Sequence, residues 1–169
     1  HIPVHLGAMP LSVQAAMEET VFHPGDMIIL NDPYRGGTHL PDITLIAPVF
    51  HQNRAVFYVA NRAHHSDVGG MRAGSMPLSS KIFEEGLIIP PVTLLKRGKA
   101  NHEVLNMIIS NVRTPEERKG DLLAQIAANK RGIHRLEECI QKYGYPLLER
   151  NSKFLVDYTE TLFRDLIQD

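Results

Sequence analysis

Two stretches of the sequence gather side chains that bind metals or move protons. The first, Asn31-Asp32-Pro33-Tyr34-Arg35-Gly36-Gly37-Thr38-His39-Leu40-Pro41-Asp42, sets a histidine three residues before an aspartate, among turn-forming glycines and prolines. The second, Arg62-Ala63-His64-His65-Ser66-Asp67, offers two more imidazoles and a carboxylate, with Gly69-Gly70 just beyond. Two imidazoles and a carboxylate are a common donor set for a divalent transition metal that keeps positions open for water or substrate. Such an ion polarises a carbonyl and lowers the pKa of bound water toward neutrality. A further acid or imidazole beside it serves as a general base or orients a ligand. Gly36-Gly37 and Gly69-Gly70 allow close approach of backbone to a ligand. Arg72, Ser75 and the amides of residues 69–74 are placed to receive an anion.

A pair of strands must position these groups. Residues 43–50 read as one strand, with Pro48 marking an edge or a bulge, and residues 55–60 as the next. His51-Gln52-Asn53-Arg54 is short enough to join them as a hairpin. With a turn centred near Gln52-Asn53, Asp42 falls opposite Arg62 or Ala63, and His39 opposite His65 or Ser66. Both strand ends then deliver histidines and carboxylates to one open end of the hairpin. The competing account is structural: Asp42 caps a turn, and His64-His65 are strand-end polar residues.

The rest of the chain reads as an α/β (α+β) fold in which a sheet containing the hairpin is covered by helices and a helical hairpin follows. Residues 10–20 form a short helix, 27–30 a buried strand, 61–80 a loop, and 81–95 a mixed segment interrupted by Pro90-Pro91. Thr114-Pro115-Glu116-Glu117 is a helix start. Apolar residues then recur at helical spacing from Leu122 to Ile140, Gly144 is a stop, and a second helical pattern runs from Leu148 to Leu166. The expected division is 1–110 for the α/β metal-site part and 111–169 for the helical hairpin packed on it. His102-Glu103 lacks a second histidine four residues after the first, so it is no zincin motif. His134 reads as solvated, Cys139 as a small apolar packer, and Glu84-Glu85 as a loop feature.

Composition narrows the function class. The chain has 169 residues, 43% of them hydrophobic, with 18 basic and 19 acidic side chains and a formal net charge of -1. No basic footprint for nucleic acid or a membrane surface is present, and no apolar run reaches the ~18 residues of a membrane span. One cysteine permits neither an internal disulfide nor a cysteine-based zinc knuckle, and fits a cytoplasmic protein. The opening His1-Ile2-Pro3-Val4-His5 has no initiator Met, and the last helical pattern runs straight to Asp169. The chain therefore reads as a piece of a longer protein.

Asn31-Asp32-Pro33-Tyr34, Gly36-Gly37-Thr38-His39, Pro41-Asp42, Arg62-Ala63-His64-His65-Ser66-Asp67, Gly69-Gly70 and Gly74-Ser75-Met76-Pro77 together resemble the hydantoinase B / 5-oxoprolinase family. Ile2-Pro3-Val4-His5-Leu6-Gly7-Ala8-Met9-Pro10, Ile89-Pro90-Pro91-Val92 and Asn111-Val112-Arg113 extend the likeness over about 130 residues. The resemblance implies the B-type part of an ATP-dependent hydantoinase or 5-oxoprolinase, with acetone carboxylase alpha subunits as relatives. It implies an A-type partner that binds ATP, so that ATP sits on the partner, and a small cyclic amide as substrate. By the same resemblance His39, Asp42 and His64 hold a divalent metal of the manganese, zinc or magnesium class. Asp67, His65 or Asp32 then orient ligands or move a proton, Arg72, Ser75 and Gly70 bind substrate, and the assembly is an oligomer. Its rivals are an acetone-carboxylase-like ligase and a non-catalytic metal- or partner-binding module.

Overall fold

Every residue of Met27-Ile28-Ile29-Leu30 is buried, the mark of a central strand covered on both faces. This strand, β1 (Met27–Leu30), lies in the middle of a five-stranded sheet in the computed structural model, which describes residues 5, 7–74 and 77–168. The others are β2 (Asp42–His51), β3 (Arg54–His64), β4 (Val92–Lys96) and β5 (Lys99–Ala100), in the order β3-β2-β1-β4-β5. All pairings are antiparallel. The helices are α1 (Ala8–Glu19), α2 (His102–Ile109), α3 (Pro115–Tyr143) and α4 (Tyr145–Gln168). The α+β class, the hairpin and the two consecutive C-terminal helices match the sequence reading.

The chain forms two compact units, His1–Ile133 and His134–Asp169, whose border falls inside α3. In the first, side-chain alternation along the strands divides the core. Ile28, Leu30 and Ile46 pack with Ala16 and Val13 of α1 on one face. Met27, Ile29, Ile43, Leu45 and Ala47 pack with Ile108 of α2 and Leu122 of α3 on the other. Each large aliphatic side chain buried there contributes about 1.5–3 kcal/mol. In the second unit, the last turns of α3 give way to α4 at Gly144, whose φ of 80° is the left-handed conformation that ends a helix. His134 is exposed and pairs with Glu138 at 3.2 Å. Among the described residues no helix is long and apolar enough to cross a membrane.

Two expectations about the hairpin change. The turn does close at Gln52-Asn53, both residues having positive φ (48° and 63°), which suits the twist of a two-residue hairpin. A bulge between Val49 and Phe50 then shifts the register, so Asp42 faces His64 rather than Arg62 or Ala63. Strand β3 also runs on to His64, because Asn61, Arg62 and Ala63 pair with Leu45, Thr44 and Ile43 where the polar composition suggested a loop. Helix α2 was not anticipated; Asn101 caps it by accepting the Val104 N–H at 3.3 Å.

Candidate metal centre

Asn31 fixes the loop that enters β2. Fully buried, it donates from Nδ2 to the carbonyls of Leu40 and Leu87 (2.7 and 2.9 Å) and accepts the Ile89 N–H at Oδ1 (2.6 Å). The same loop presses Gly37 so closely onto Asn31 that a Cβ there would lie 2.2 Å from the Asn31 carbonyl oxygen. Asp32 is consumed by this turn: its Oδ1 accepts the Tyr34 N–H at 2.9 Å, and its carbonyl accepts the N–H groups of Arg35 and Gly37.

The His-x-x-Asp spacing is the span of one turn. The Asp42 N–H donates to the His39 carbonyl at 2.9 Å, and the buried Leu40 side chain anchors the turn in the core. The two functional side chains therefore meet, with His39 Nδ1 2.9 Å from Asp42 Oδ2. Thr38 donates to the same oxygen at 2.7 Å. Across the hairpin, His64 Nδ1 lies 2.7 Å from Asp42 Oδ1. His5, just ahead of α1, brings Nε2 to 3.0 Å from Oδ2 and to 3.4 Å from His39 Nδ1. A carboxylate that is 1% exposed thus carries three imidazoles on its two oxygens. Burial raises the Asp42 pKa, but the hydrogen bonds from Thr38, His64 and His39 outweigh it and hold the carboxyl at about 2, below the usual 3.8.

This donor set fits a divalent ion. Donor atoms of His5, His39 and Asp42 lie within 4.8 Å of one another, and His64 waits on the second carboxylate oxygen. Three imidazoles with one carboxylate suit a transition metal better than magnesium, which prefers oxygen. A cavity of about 390 Å³ opens here, lined by His5, Met9, Asp42, Arg62 and His64. It adjoins an apolar groove walled by Met9, Val13, Met17 and Tyr58. Arg62 faces Thr44 in the register, two positions along from the Asp42–His64 pair. Its Nε donates to Thr44 Oγ1 (2.8 Å) and its Nη2 to Ser12 Oγ (2.6 Å).

The structure brings His39, Asp42 and His64 together; the other candidates lie elsewhere. Neighbours on a strand point to opposite faces, so His65 turns away from His64 and enters the face covered by α2 and α3. There its Nε2 meets Gln125 Oε1 at 2.8 Å, and burial pushes its pKa below the ordinary value. Gln125 also donates to Asn61 Oδ1 and the Ile43 carbonyl, and Asn61 donates to Asn129. Asp67 accepts from the N–H groups of Gly69 and Arg113 and pairs with the Arg113 guanidinium at 2.9 Å. Burial raises its pKa, and these bonds bring it below normal. Gly70 accepts from Arg113 Nη2, Arg72 is exposed, and Ser75 lies outside the described residues. Glu84 and Glu85 close a local turn, accepting from Ser80 N–H and Ser79 Oγ. His5, Arg62 and the Gln125–Asn129 ladder escaped the sequence reading as site residues. His5 and Arg62 did leave a signal, as parts of the Ile2–Pro10 and Arg62–Asp67 likenesses, but neither was given a role in the site.

A model of the hydantoinase B/oxoprolinase family matches residues 1–169. The chain is 45% identical over 175 residues to an uncharacterised protein of Methanocaldococcus jannaschii, covering 100% of this chain and 31% of that protein. It is 37% identical over 171 residues to a 5-oxoprolinase of Dictyostelium discoideum, covering 99% and 14%. Among solved structures, the ATP-dependent caprolactamase from Pseudomonas jessenii matches with a TM-score of 0.92 at 33% identity, covering 99% of this chain and 30% of that one. The chain spans less than a third of the length of these curated relatives.

Proposed function

The chain belongs to the hydantoinase B/oxoprolinase family, and from that membership we propose that it forms the metal-bearing part of an ATP-dependent cyclic amidase. The observation that carries this reading is the buried Asp42 carboxylate with imidazoles on both oxygens. His39, Asp42 and His64 hold the divalent metal, and His5 is a further donor on the same carboxylate. When bound, the ion supplies Lewis acidity toward the amide carbonyl and acidifies water. The protein's own part is to fix the donors: the 39–42 turn sets His39 against Asp42, Thr38 orients the carboxylate, and the hairpin register presents His64. The apolar groove takes the hydrocarbon part of a ring, and the polar cavity takes its amide. Substrate activation by ATP belongs to an A-type partner.

The test uses the intact protein with its ATP-binding partner. Stoichiometric divalent metal, lost in His39→Ala and His64→Ala, and ATP-dependent ring opening of a lactam, hydantoin or oxoproline without bicarbonate are expected. Strict dependence on bicarbonate would replace the amidase by a carboxylating ligase. Protein that binds no divalent metal would refute the centre itself.

A further inference from the structure

We propose that Arg62 is the anion-receiving group of the Asp42 cavity, binding a negatively charged oxygen of the substrate. The inference deepens the amidase reading and rests on it for the identity of the ligand. Arg62 lies on the same strand and the same sheet face as His64, and it lines the cavity with Asp42, His5 and His64. Two of its nitrogens are spent on holding it in place. Nε donates to Thr44 and Nη2 to Ser12, both of them fully buried, which fixes the guanidinium plane. Among the described residues Nη1 has no hydrogen-bond partner, and Arg62 forms no ion pair.

Both anchoring oxygens are neutral, so a neutral donor would tie α1 to the sheet equally well. A half-buried cation with no direct ion pair costs stability unless something compensates it. Asp42 supplies charge at a distance that favours the cation, but its oxygens meet Thr38 and three imidazoles, and it makes no ion pair with the guanidinium. A divalent ion on Asp42 would leave the cavity more positive still. The open position at Nη1, facing the cavity, then suits an anionic oxygen. It is either a carboxylate or phosphoryl group carried by the substrate, or the oxyanion that develops when an amide carbonyl is attacked.

Inorganic phosphate is the direct probe. Its affinity for the intact, metal-loaded protein is measured by calorimetry in wild type and Arg62→Gln, with metal content and melting temperature recorded for each. A fall of about tenfold or more is expected, with metal content unchanged. Phosphate bound within twofold of wild type by a folded, metal-replete Arg62→Gln overturns the proposal. A second measurement needs no variant: phosphate should protect Arg62, but not the exposed Arg72, from an arginine-specific dicarbonyl reagent, as read by peptide mapping. Equal modification of Arg62 with and without phosphate also overturns it. In the ring-opening assay a raised KM at constant kcat identifies a group carried by the substrate, and a lowered kcat at constant KM identifies the developing oxyanion; no change in either overturns the proposal. The two readings fail separately. Loss of metal in His39→Ala with phosphate binding still dependent on Arg62 upholds the anion site, whereas protein that never takes up metal refutes the amidase centre and leaves the protection measurement decisive for Arg62.

Discussion

Replacing Asp42 by Asn keeps the shape of the side chain and removes its charge, and the consequence can be worked from the geometry. Asp42 is 1% exposed and accepts from Thr38 while facing imidazole nitrogens on both oxygens. The protonated acid, which the amide mimics, is disfavoured in the folded protein by the drop of the Asp42 pKa from 3.8 to about 2. A shift of that size corresponds to about 2 kcal/mol of stability near neutral pH. The Asp42→Asn variant, stripped of metal with chelator, should therefore unfold about 2 kcal/mol more easily in urea. The difference has a definite pH dependence. A carboxyl whose pKa is depressed by folding stabilises above its unfolded value of 3.8, and that contribution fades as pH falls toward 2. Wild type and variant should converge in that acid window and separate fully above it. Metal affinity should fall as well, by more than the ~10–100-fold typical of losing an outer partner of a metal site. A variant as stable as wild type across the range would mean that the imidazoles do not hold a carboxylate, and the centre would have to be abandoned.

Three further outcomes are expected. Added divalent metal should raise the melting temperature, by the equivalent of about 2.7 kcal/mol at a hundredfold excess over Kd; calorimetry should show that rise reduced in His5→Ala and kept in His134→Ala, whose imidazole is exposed in the second unit. Gln125→Met removes partners from His65, Asn61 and the Ile43 carbonyl, all at or near the buried side of the hairpin, and should cost at least about 2 kcal/mol in urea unfolding. Asp67→Asn should flatten the acid limb of the stability curve, since the depressed Asp67 pKa contributes stability above its ordinary value of 3.8 and loses it as pH falls below; unfolding midpoints between pH 3 and 6 would expose an unchanged limb.

The elements most legible in the sequence are those whose signals are local. Met27–Leu30, the Gln52-Asn53 turn, the Thr114-Pro115 helix start and the Gly144 stop are each set by a few adjacent residues, and the structure has each of them. His39 and Asp42 meet because one turn spans them, so that half of the site is local too. What the sequence hides depends on tertiary partners. The polar run from Asn61 to His64 looks like a loop until Gln125 and Asn129, more than sixty residues away, supply its hydrogen bonds. His5 reaches Asp42 only once α1 has packed on the sheet, and the likeness of residues 2–10 does not say what it meets. Arg62 likewise falls in the expected 61–80 loop, and its place on the sheet shows only when Ser12 and Thr44 are seen to hold it.

The deepest of these hidden features is a single residue of register. A hairpin pairing His51 with Arg54 and continuing without interruption would place Ala63 opposite Asp42. The pleat would then turn His64 toward the face covered by α2 and α3 and leave the carboxylate with no imidazole from β3. The bulge between Val49 and Phe50 inserts one extra residue on β3, and every later pair moves by one. His64 comes to lie on Asp42, Arg62 falls beside it on the same face, and His65 enters the core to meet Gln125. Adjacent histidines that look equivalent in sequence are thereby given opposite places, one on the Asp42 carboxylate and one in the network that clamps α3 to the hairpin. Pro48, which cannot donate to the ladder, stands beside this irregularity and was its one visible sign.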